Sequence, residues 1–179
     1  MRILTEGQDY TDRAMELADR LGAEICMRTE EMSGDERYLL LDKDGLSLVQ
    51  GNMKLCGDFR HMKRRVLGGR LQHEKLLRAV RFKEDVHGML AVDATAGLGE
   101  DSFILAAAGF SVLMCEYNPI IFALLRDALD RAQRDPDIGE IAAGKERVIV
   151  LNKADLADPR ANEAWKAYFE AEGGAFRQI

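Results

Sequence analysis

The stretch DATAGLGED, residues Asp93–Asp101, lies between two apolar runs near the middle of this 179-residue chain. The run Met89–Val92 precedes it and predicts a buried strand, and the helical pattern Ser102–Ala108 follows it. A second predicted strand, Ser111–Cys115, leads directly to Glu116. Strand, glycine turn, helix, strand and acid in this order are typical of the first half of a nucleotide-binding α/β domain.

The loop itself separates two classes of cofactor. A dinucleotide site has the spacing G-x-G-x-x-G, whereas this loop has Gly97 and Gly99 but Ser102 in the third position. An acid, Asp93, ends the first strand, and Glu116 after the second strand is placed to take ribose hydroxyls. This combination resembles the Rossmann-like class of methyltransferases, which implies S-adenosylmethionine (SAM) as the cofactor.

A longer segment, about residues 50–150, resembles one family within that class, the bacterial small-subunit ribosomal RNA guanine-N2 methyltransferases with the DATAGLG loop. Besides the loop, the resemblance includes the upstream motif Arg64–Arg70, the segment Glu116–Pro119 and the downstream Asp137–Gly139. It implies transfer of a methyl group from SAM to an exocyclic amine of guanine in small-subunit ribosomal RNA.

The same resemblance implies which residues bind the cofactor. Family members use the acidic pair after the glycine loop, here Glu100 and Asp101, and the pair after the second strand, here Glu116 and Tyr117. The family pattern usually has arginine where Glu100 and Tyr117 stand, so Asp101 and Glu116 are the better supported. The predicted cofactor-binding residues, from both strand ends, the loop and the tail, are Asp93, Gly97, Gly99, Glu100, Asp101, Glu116, Tyr117 and Asp155.

A basic segment, Phe59–Arg70, precedes the loop. It contains five Lys or Arg residues, one His and no acid, in a chain whose net charge is −6. Clustered cations suit RNA phosphates, and Gly68-Gly69 allows close approach of a backbone, but a solvated charged surface is the alternative. Arg70 could instead face the cofactor carboxylate. The predicted RNA-binding residues are Arg60, Lys63, Arg64, Arg65 and Arg70.

Composition limits the class of protein. Apolar residues make up 47% and charged residues 31% of the chain, as in ordinary soluble globular domains. No apolar run is long enough to cross a membrane, and the first residues lack a signal-peptide core, so we expect a cytoplasmic protein. The three cysteines are far apart without C-x-x-C spacing, so we expect no metal site. The oligomeric state is not indicated.

The chain is expected to have two parts. Residues 1–52 predict a small N-terminal α/β appendage with a helix capped by Thr11 and ended by Gly22. A strand over 24–28 follows, and then a hairpin whose turn is Asp42–Gly45. Residues 53–179 predict the Rossmann-like SAM-binding domain, in which 147–179 form an atypical tail.

The tail, residues 147–179, departs from the methyltransferase pattern. The run Arg147–Leu151 predicts a third strand, and the resemblance would place Asp155 just beyond it, near the adenine. The tail has Asp158-Pro159-Arg160 but no Asp-Pro-x-aromatic or Asn-Pro-Pro-aromatic motif of the type that holds the target amine. We therefore expect a truncated methyltransferase sheet, weak or absent methyl transfer, and no assignable catalytic residue.

The same tail resembles circularly permuted ribosome-assembly GTPases. Asn152–Asp155 reads N-K-x-D after a predicted strand, and a helix with Trp165, Tyr168 and Phe169 follows it. Two alternatives to the methyltransferase therefore stay open. A guanine-nucleotide-binding GTPase fragment predicts binding of GTP with magnesium, and a non-catalytic RNA-binding module that uses 59–70 predicts binding of RNA alone.

Overall fold

The computed structural model describes residues 1–5, 10–27, 36–80 and 85–143. The predicted third strand, the N-K-x-D segment and Asp155 lie outside these ranges. In chain order the strands are β1 (Arg2–Thr5), β2 (Glu24–Met27), β3 (Arg37–Asp42), β4 (Gly45–Gln50), β5 (Met53–Leu55), β6 (Leu90–Asp93) and β7 (Ser111–Met114). The helices are α1 (Thr11–Leu21), α2 (Lys63–Val66), α3 (Lys75–Val80), α4 (Glu100–Ala107), α5 (Pro119–Ala132) and α6 (Gly139–Ala142), with 3₁₀ turns at Phe59–Met62 and Leu71–His73.

The N-terminal part is a five-stranded mixed sheet in the order β2-β1-β3-β4-β5. Strand β1 runs parallel to both β2 and β3, and β3, β4 and β5 are antiparallel neighbours. Strand β5 belongs to this sheet, so the sheet continues past residue 52. The division of the chain into two parts at residue 52 stays a prediction. Helix α1 begins at Thr11 with Tyr10 at the cap position and no side-chain cap, so the prediction that Thr11 caps it is wrong.

The predicted hairpin is confirmed. Asp42 pairs with Gly45, so Lys43 and Asp44 form a two-residue turn between β3 and β4. The Asp42 carboxylate accepts a hydrogen bond of 2.8 Å from the Asp44 N–H, which is the local bond that favours aspartate in turns.

The second part contains the parallel pair β6 and β7. Leu90 lies opposite Ser111 and Asp93 opposite Met114, so the two strands end at the same edge. Helix α4 connects them, and α5 follows β7. The Asn118 side chain accepts hydrogen bonds from the N–H groups of Ile120 and Ile121, with Pro119 in the first turn, as the sequence predicts for the start of this helix.

Helix α5 packs against both parts of the chain. Ala123 and Leu124 belong to the core beneath the N-terminal sheet, with residues such as Ile3 and Leu39. Leu125, Ala128 and Leu129 belong to the core around α4, where the rings of Phe59 and Phe103 stack with centroids 4.5 Å apart. Among the helices of the described ranges, none has the length and apolar character needed to cross a membrane.

Candidate functional site

The glycine loop connects the end of β6 to the first turn of α4. Gly99 has φ +82° and Gly97 has φ +56°, and both values favour glycine. Their surroundings differ. A Cβ on Gly99 would lie 2.6 Å from Cδ1 of Leu125 and 3.2 Å from Cζ of Phe59, whereas one on Gly97 would have nothing closer than the Thr95 carbonyl oxygen at 4.0 Å. At Gly99 the loop therefore packs directly against the core, whereas at Gly97 there is open space where a side chain would be.

Asp93 is hydrogen-bonded to the loop and to α4. Its Oδ1 accepts from the Thr95 N–H at 3.2 Å, and its Oδ2 accepts from the Ser102 hydroxyl at 2.6 Å. Ser102 is fully buried, so its hydroxyl serves the carboxylate rather than a ligand. Sequence reasoning treated Ser102 only as the missing third glycine and did not predict this partnership.

Glu116 is hydrogen-bonded to the same loop from the end of β7. Its Oε2 accepts from the Gly97 N–H at 2.9 Å, and its Oε1 accepts from the Asn118 N–H at 2.7 Å. The strand ends themselves are joined, because the Cys115 N–H donates to the Asp93 carbonyl at 2.8 Å. The structure thus brings together Asp93, Gly97 and Glu116, three of the predicted cofactor residues, at the edge where the parallel strands end.

The other described candidates follow the glycine loop or Glu116 along the chain. Glu100, the first residue of α4, faces the basic segment, with its carboxylate oxygens 3.3 Å from Nε2 of His61 and 3.4 Å from Nη1 of Arg65. Asp101 lies in the wall of a basic cleft. Tyr117 is 72% exposed and follows Glu116 at the surface. These contacts orient Glu100 toward the basic segment, a placement that sequence reasoning did not predict.

Within the basic segment, two predicted RNA-binding arginines have carboxylate partners. Arg60 forms an ion pair with Asp58 at 2.8 Å, and Arg65 makes two hydrogen bonds of 2.9 Å to Glu74. These hydrogen bonds lower the pKa of the Asp58 carboxyl and that of the Glu74 carboxyl below their ordinary values. Much of the positive charge counted from the sequence is therefore neutralised by residues nearby in space.

Lys63 is neutralised in the same way, by acids that lie after α5. Its Nζ lies 2.8 Å from Asp135 and 2.7 Å from Asp137. The hydrogen bond from Lys63 lowers the pKa of the Asp135 carboxyl, and the two acids raise the pKa of Lys63.

Arg64 and Arg70 are exposed, and no described residue forms an ion pair with either side chain.

An open cleft of about 760 Å³ lies between α2, α3 and the first turn of α4. No group of three or more His, Cys, Asp or Glu side chains that could hold a metal ion occurs within residues 1–5, 10–27, 36–80 and 85–143. Eight residues line the cleft, of which six are Arg, Lys, Asp or Glu, namely Arg64, Arg65, Arg70, Lys75, Glu74 and Asp101, and the other two are His73 and Leu76.

A family model described as "Putative SAM-dependent methyltransferase" matches residues 23–168. The chain is 42% identical over 125 residues to the ribosomal RNA small subunit methyltransferase J of Actinobacillus pleuropneumoniae serotype 3, a match covering 69% of this chain and 47% of that protein. It is 35% identical over 155 residues to the protein of the same name from Pseudomonas aeruginosa, covering 83% and 57%. The chain thus spans about half the length of the curated relatives it matches.

A solved structure, that of the SAM-dependent methyltransferase NGO1261 from Neisseria gonorrhoeae, is similar to this chain with a TM-score of 0.62 and 26% sequence identity. The match covers 92% of this chain and 65% of that one. This likeness confirms the predicted α/β, Rossmann-like methyltransferase fold. The family match also reaches residue 168, so it includes most of the tail that resembles GTPases.

Proposed function

Because the chain belongs to the SAM-dependent methyltransferase family, we propose that it binds SAM at the loop between β6 and α4 and serves methyl transfer to small-subunit ribosomal RNA. One observation carries the proposal, namely the hydrogen-bonded cluster of Asp93, Gly97 and Glu116 where the parallel strands end. Cofactors of open α/β sheets bind at this edge. The relatives' names supply ribosomal RNA as the substrate class, and the DATAGLG resemblance supplies the exocyclic amine of guanine.

Glu116 is the residue we propose for the ribose hydroxyls. A carboxylate has about four acceptor positions, and the Gly97 and Asn118 N–H groups use two of them. The remaining positions can accept from a ribose without release of the loop. Glu116 would therefore orient the loop and bind the cofactor at the same time.

Asp93 and Asp101 are proposed for the amino-acid end of the cofactor. Asp93 is half-buried, and its bonds to Thr95 and Ser102 fix the direction of its carboxylate. Asp101 belongs to the first turn of α4, where no described side chain pairs with it. A negative charge in these places suits the ammonium group of an amino acid.

The guanine-nucleotide alternative is not favoured, because the methyltransferase family model covers the N-K-x-D segment as well. The non-catalytic RNA-binding alternative differs from the proposal in one measurable property, since it predicts RNA binding without SAM binding. Calorimetric titration of the chain with SAM therefore tests the proposal directly, and no heat of binding at millimolar SAM would refute it.

Replacing Glu116 with alanine should weaken SAM binding by about 5- to 150-fold, or about 1–3 kcal/mol, because buried hydroxyl groups lose their acceptor. The measurement is calorimetric titration of both proteins. Glu140→Ala removes an exposed acid from α6 and is the matched control, with wild-type affinity expected. If Glu116→Ala binds SAM as tightly as the wild type, the ribose assignment is wrong.

The weak or absent methyl transfer that the sequence predicts for this chain stays a prediction. It rests on the acceptor-amine motif that residues 1–179 do not contain. The measurement is incorporation of labelled methyl groups from SAM into small-subunit ribosomal RNA by the purified chain. Robust incorporation would contradict the prediction while supporting the proposed function.

A further inference from the structure

The cations around the cleft fall into a paired group and an unpaired group. Arg60, Lys63 and Arg65 each form ion pairs with carboxylates. Arg64 and Lys75 are exposed, as is Arg70, and none of the three has an ion pair or side-chain hydrogen bond to any residue that the structure describes. Lys75, at the start of α3, was not among the residues predicted from sequence. The unpaired group is the one with charge available for a ligand.

The unpaired cations share one concave surface. Arg64, Arg70 and Lys75 all line the cleft of about 760 Å³. A second concavity of about 480 Å³ has a lining of Lys63, Arg64, Leu67, Gly68 and Arg70, of which Lys63 is already paired with carboxylates. Because Arg64 and Arg70 line both concavities, the two adjoin each other, and we call them together the basic track.

The turn after α2 opens the backbone along this track. Gly68 has φ +68° and Gly69 has φ +77°, and a Cβ on either would have no atom within 4 Å. The positive φ at both positions favours glycine, and no neighbouring atom would exclude a side chain there. Their open side leaves the peptide groups accessible to a ligand that follows the track.

Two acids, Glu74 and Asp101, also line the cleft. Glu74 is neutralised by its two hydrogen bonds to Arg65. Asp101 lies at the side of the cleft nearest the glycine loop, in the first turn of α4. The unpaired positive charge of the track thus lies at Arg64, Arg70 and Lys75, which share the cleft with Asp101.

We propose that Arg64, Arg70 and Lys75 bind successive backbone phosphates of the RNA substrate, which lead the RNA strand toward the cofactor loop. This deepens the proposed function and rests on it in taking RNA as the ligand. A single cofactor carboxylate is satisfied by one guanidinium group, whereas three unpaired cations along two joined concavities match a polyanion. Arg60 and Lys63 are excluded from the set because carboxylates already neutralise them.

The test is the salt dependence of RNA binding by the full chain. Fluorescence anisotropy with a fluorescein-labelled uridine oligonucleotide gives the affinity at a series of KCl concentrations. For single strands the slope of log K against log[salt] is about −0.7 per phosphate contact. Arg64→Gln/Arg70→Gln should bind severalfold more weakly with a slope shallower by about 1.4, and Lys75→Gln should lose about 0.7.

Two charge-matched double variants complete the comparison. Arg37→Gln/Lys43→Gln removes two exposed cations from the N-terminal hairpin, and it should retain the wild-type slope. Arg60→Gln/Lys63→Gln removes two paired cations from the basic segment, and it should change the slope much less than Arg64→Gln/Arg70→Gln. If Arg60→Gln/Lys63→Gln changes the slope as much as Arg64→Gln/Arg70→Gln does, the proposal is wrong. An unchanged slope in Arg64→Gln/Arg70→Gln would also overturn it.

Titration of the same variants with SAM separates the track from the cofactor site. Arg64→Gln/Arg70→Gln should bind SAM with wild-type affinity. Loss of SAM binding with an unchanged RNA slope would overturn the proposal and assign Arg70 to the cofactor carboxylate. If the wild-type chain binds SAM but no RNA, the basic-track proposal is wrong and the cofactor assignment stands. If the RNA slopes are as expected but SAM does not bind, only the cofactor assignment is wrong.

Discussion

Replacing Asp127 with alanine is expected to lower the free energy of unfolding by about 2–4 kcal/mol. Asp127 lies on α5 and is 1% exposed. Its carboxylate is ion-paired with Arg13 and with Arg131, the latter at 2.8 Å, and it accepts a 3.0 Å hydrogen bond from the Leu46 N–H. Removing it leaves a buried N–H without an acceptor and two guanidinium groups without a counter-charge, although both arginines are partly exposed and can regain some water.

The carboxylate of Asp127 connects three elements, since Arg13 belongs to α1 and Leu46 to β4. The measurement is urea unfolding followed by circular dichroism, with the free energy extrapolated to water. Asp19→Ala is the matched control, because Asp19 is an exposed aspartate in α1, and its replacement should change stability by less than about 0.5 kcal/mol. Equal stability of the two variants would show that the buried cluster does not stabilise the fold.

Asp127 also shows what the sequence could not predict. The apolar positions of α5, such as Leu125 and Ala128, follow from helical spacing, and an aspartate between these two looks like part of a solvated face. Its partners Arg13 and Leu46 are 114 and 81 residues away along the chain, so no local pattern connects them. Local signals were sufficient at the Asn118 cap and at the hairpin turn Asp42–Gly45, but not at the start of α1, where Tyr10 and not Thr11 takes the cap position.

The same distinction applies to the candidate site. The acids Asp93 and Glu116 and the glycine loop were predictable, because residues at the ends of successive parallel strands meet at one edge of the sheet. The pairing of Lys63 was not predictable, whereas the partners of Arg60 and Arg65 lie only two and nine residues away along the chain. Asp137 is 74 residues from its partner Lys63, and a count of charges within a segment contains no information about such partners. Sequence therefore located the basic segment, and the structure separated its paired cations from its unpaired ones.

Gly99→Ala is expected to lower the free energy of unfolding by about 2–5 kcal/mol and to abolish measurable SAM binding. The expected cost has two parts, about 1–2 kcal/mol for an L-residue at φ +82° and about 1–3 kcal/mol for overpacking. The new Cβ would lie 2.6 Å from Leu125 and 3.2 Å from Phe59, both of which are buried, so neither side chain can move into solvent. The backbone of the loop must move instead, and the Gly97 N–H then leaves the carboxylate of Glu116.

The comparison with Gly97→Ala isolates the contribution of packing. Gly97 also has a positive φ, but a Cβ there has open space around it, so only the conformational cost of about 1–2 kcal/mol applies. Thermal unfolding and calorimetric titration with SAM should therefore place Gly97→Ala between the wild type and Gly99→Ala. If the two variants lose equal stability, backbone conformation alone explains both glycines. Contact of Gly99 with Leu125 and Phe59 would then not be what positions the loop for its ligand.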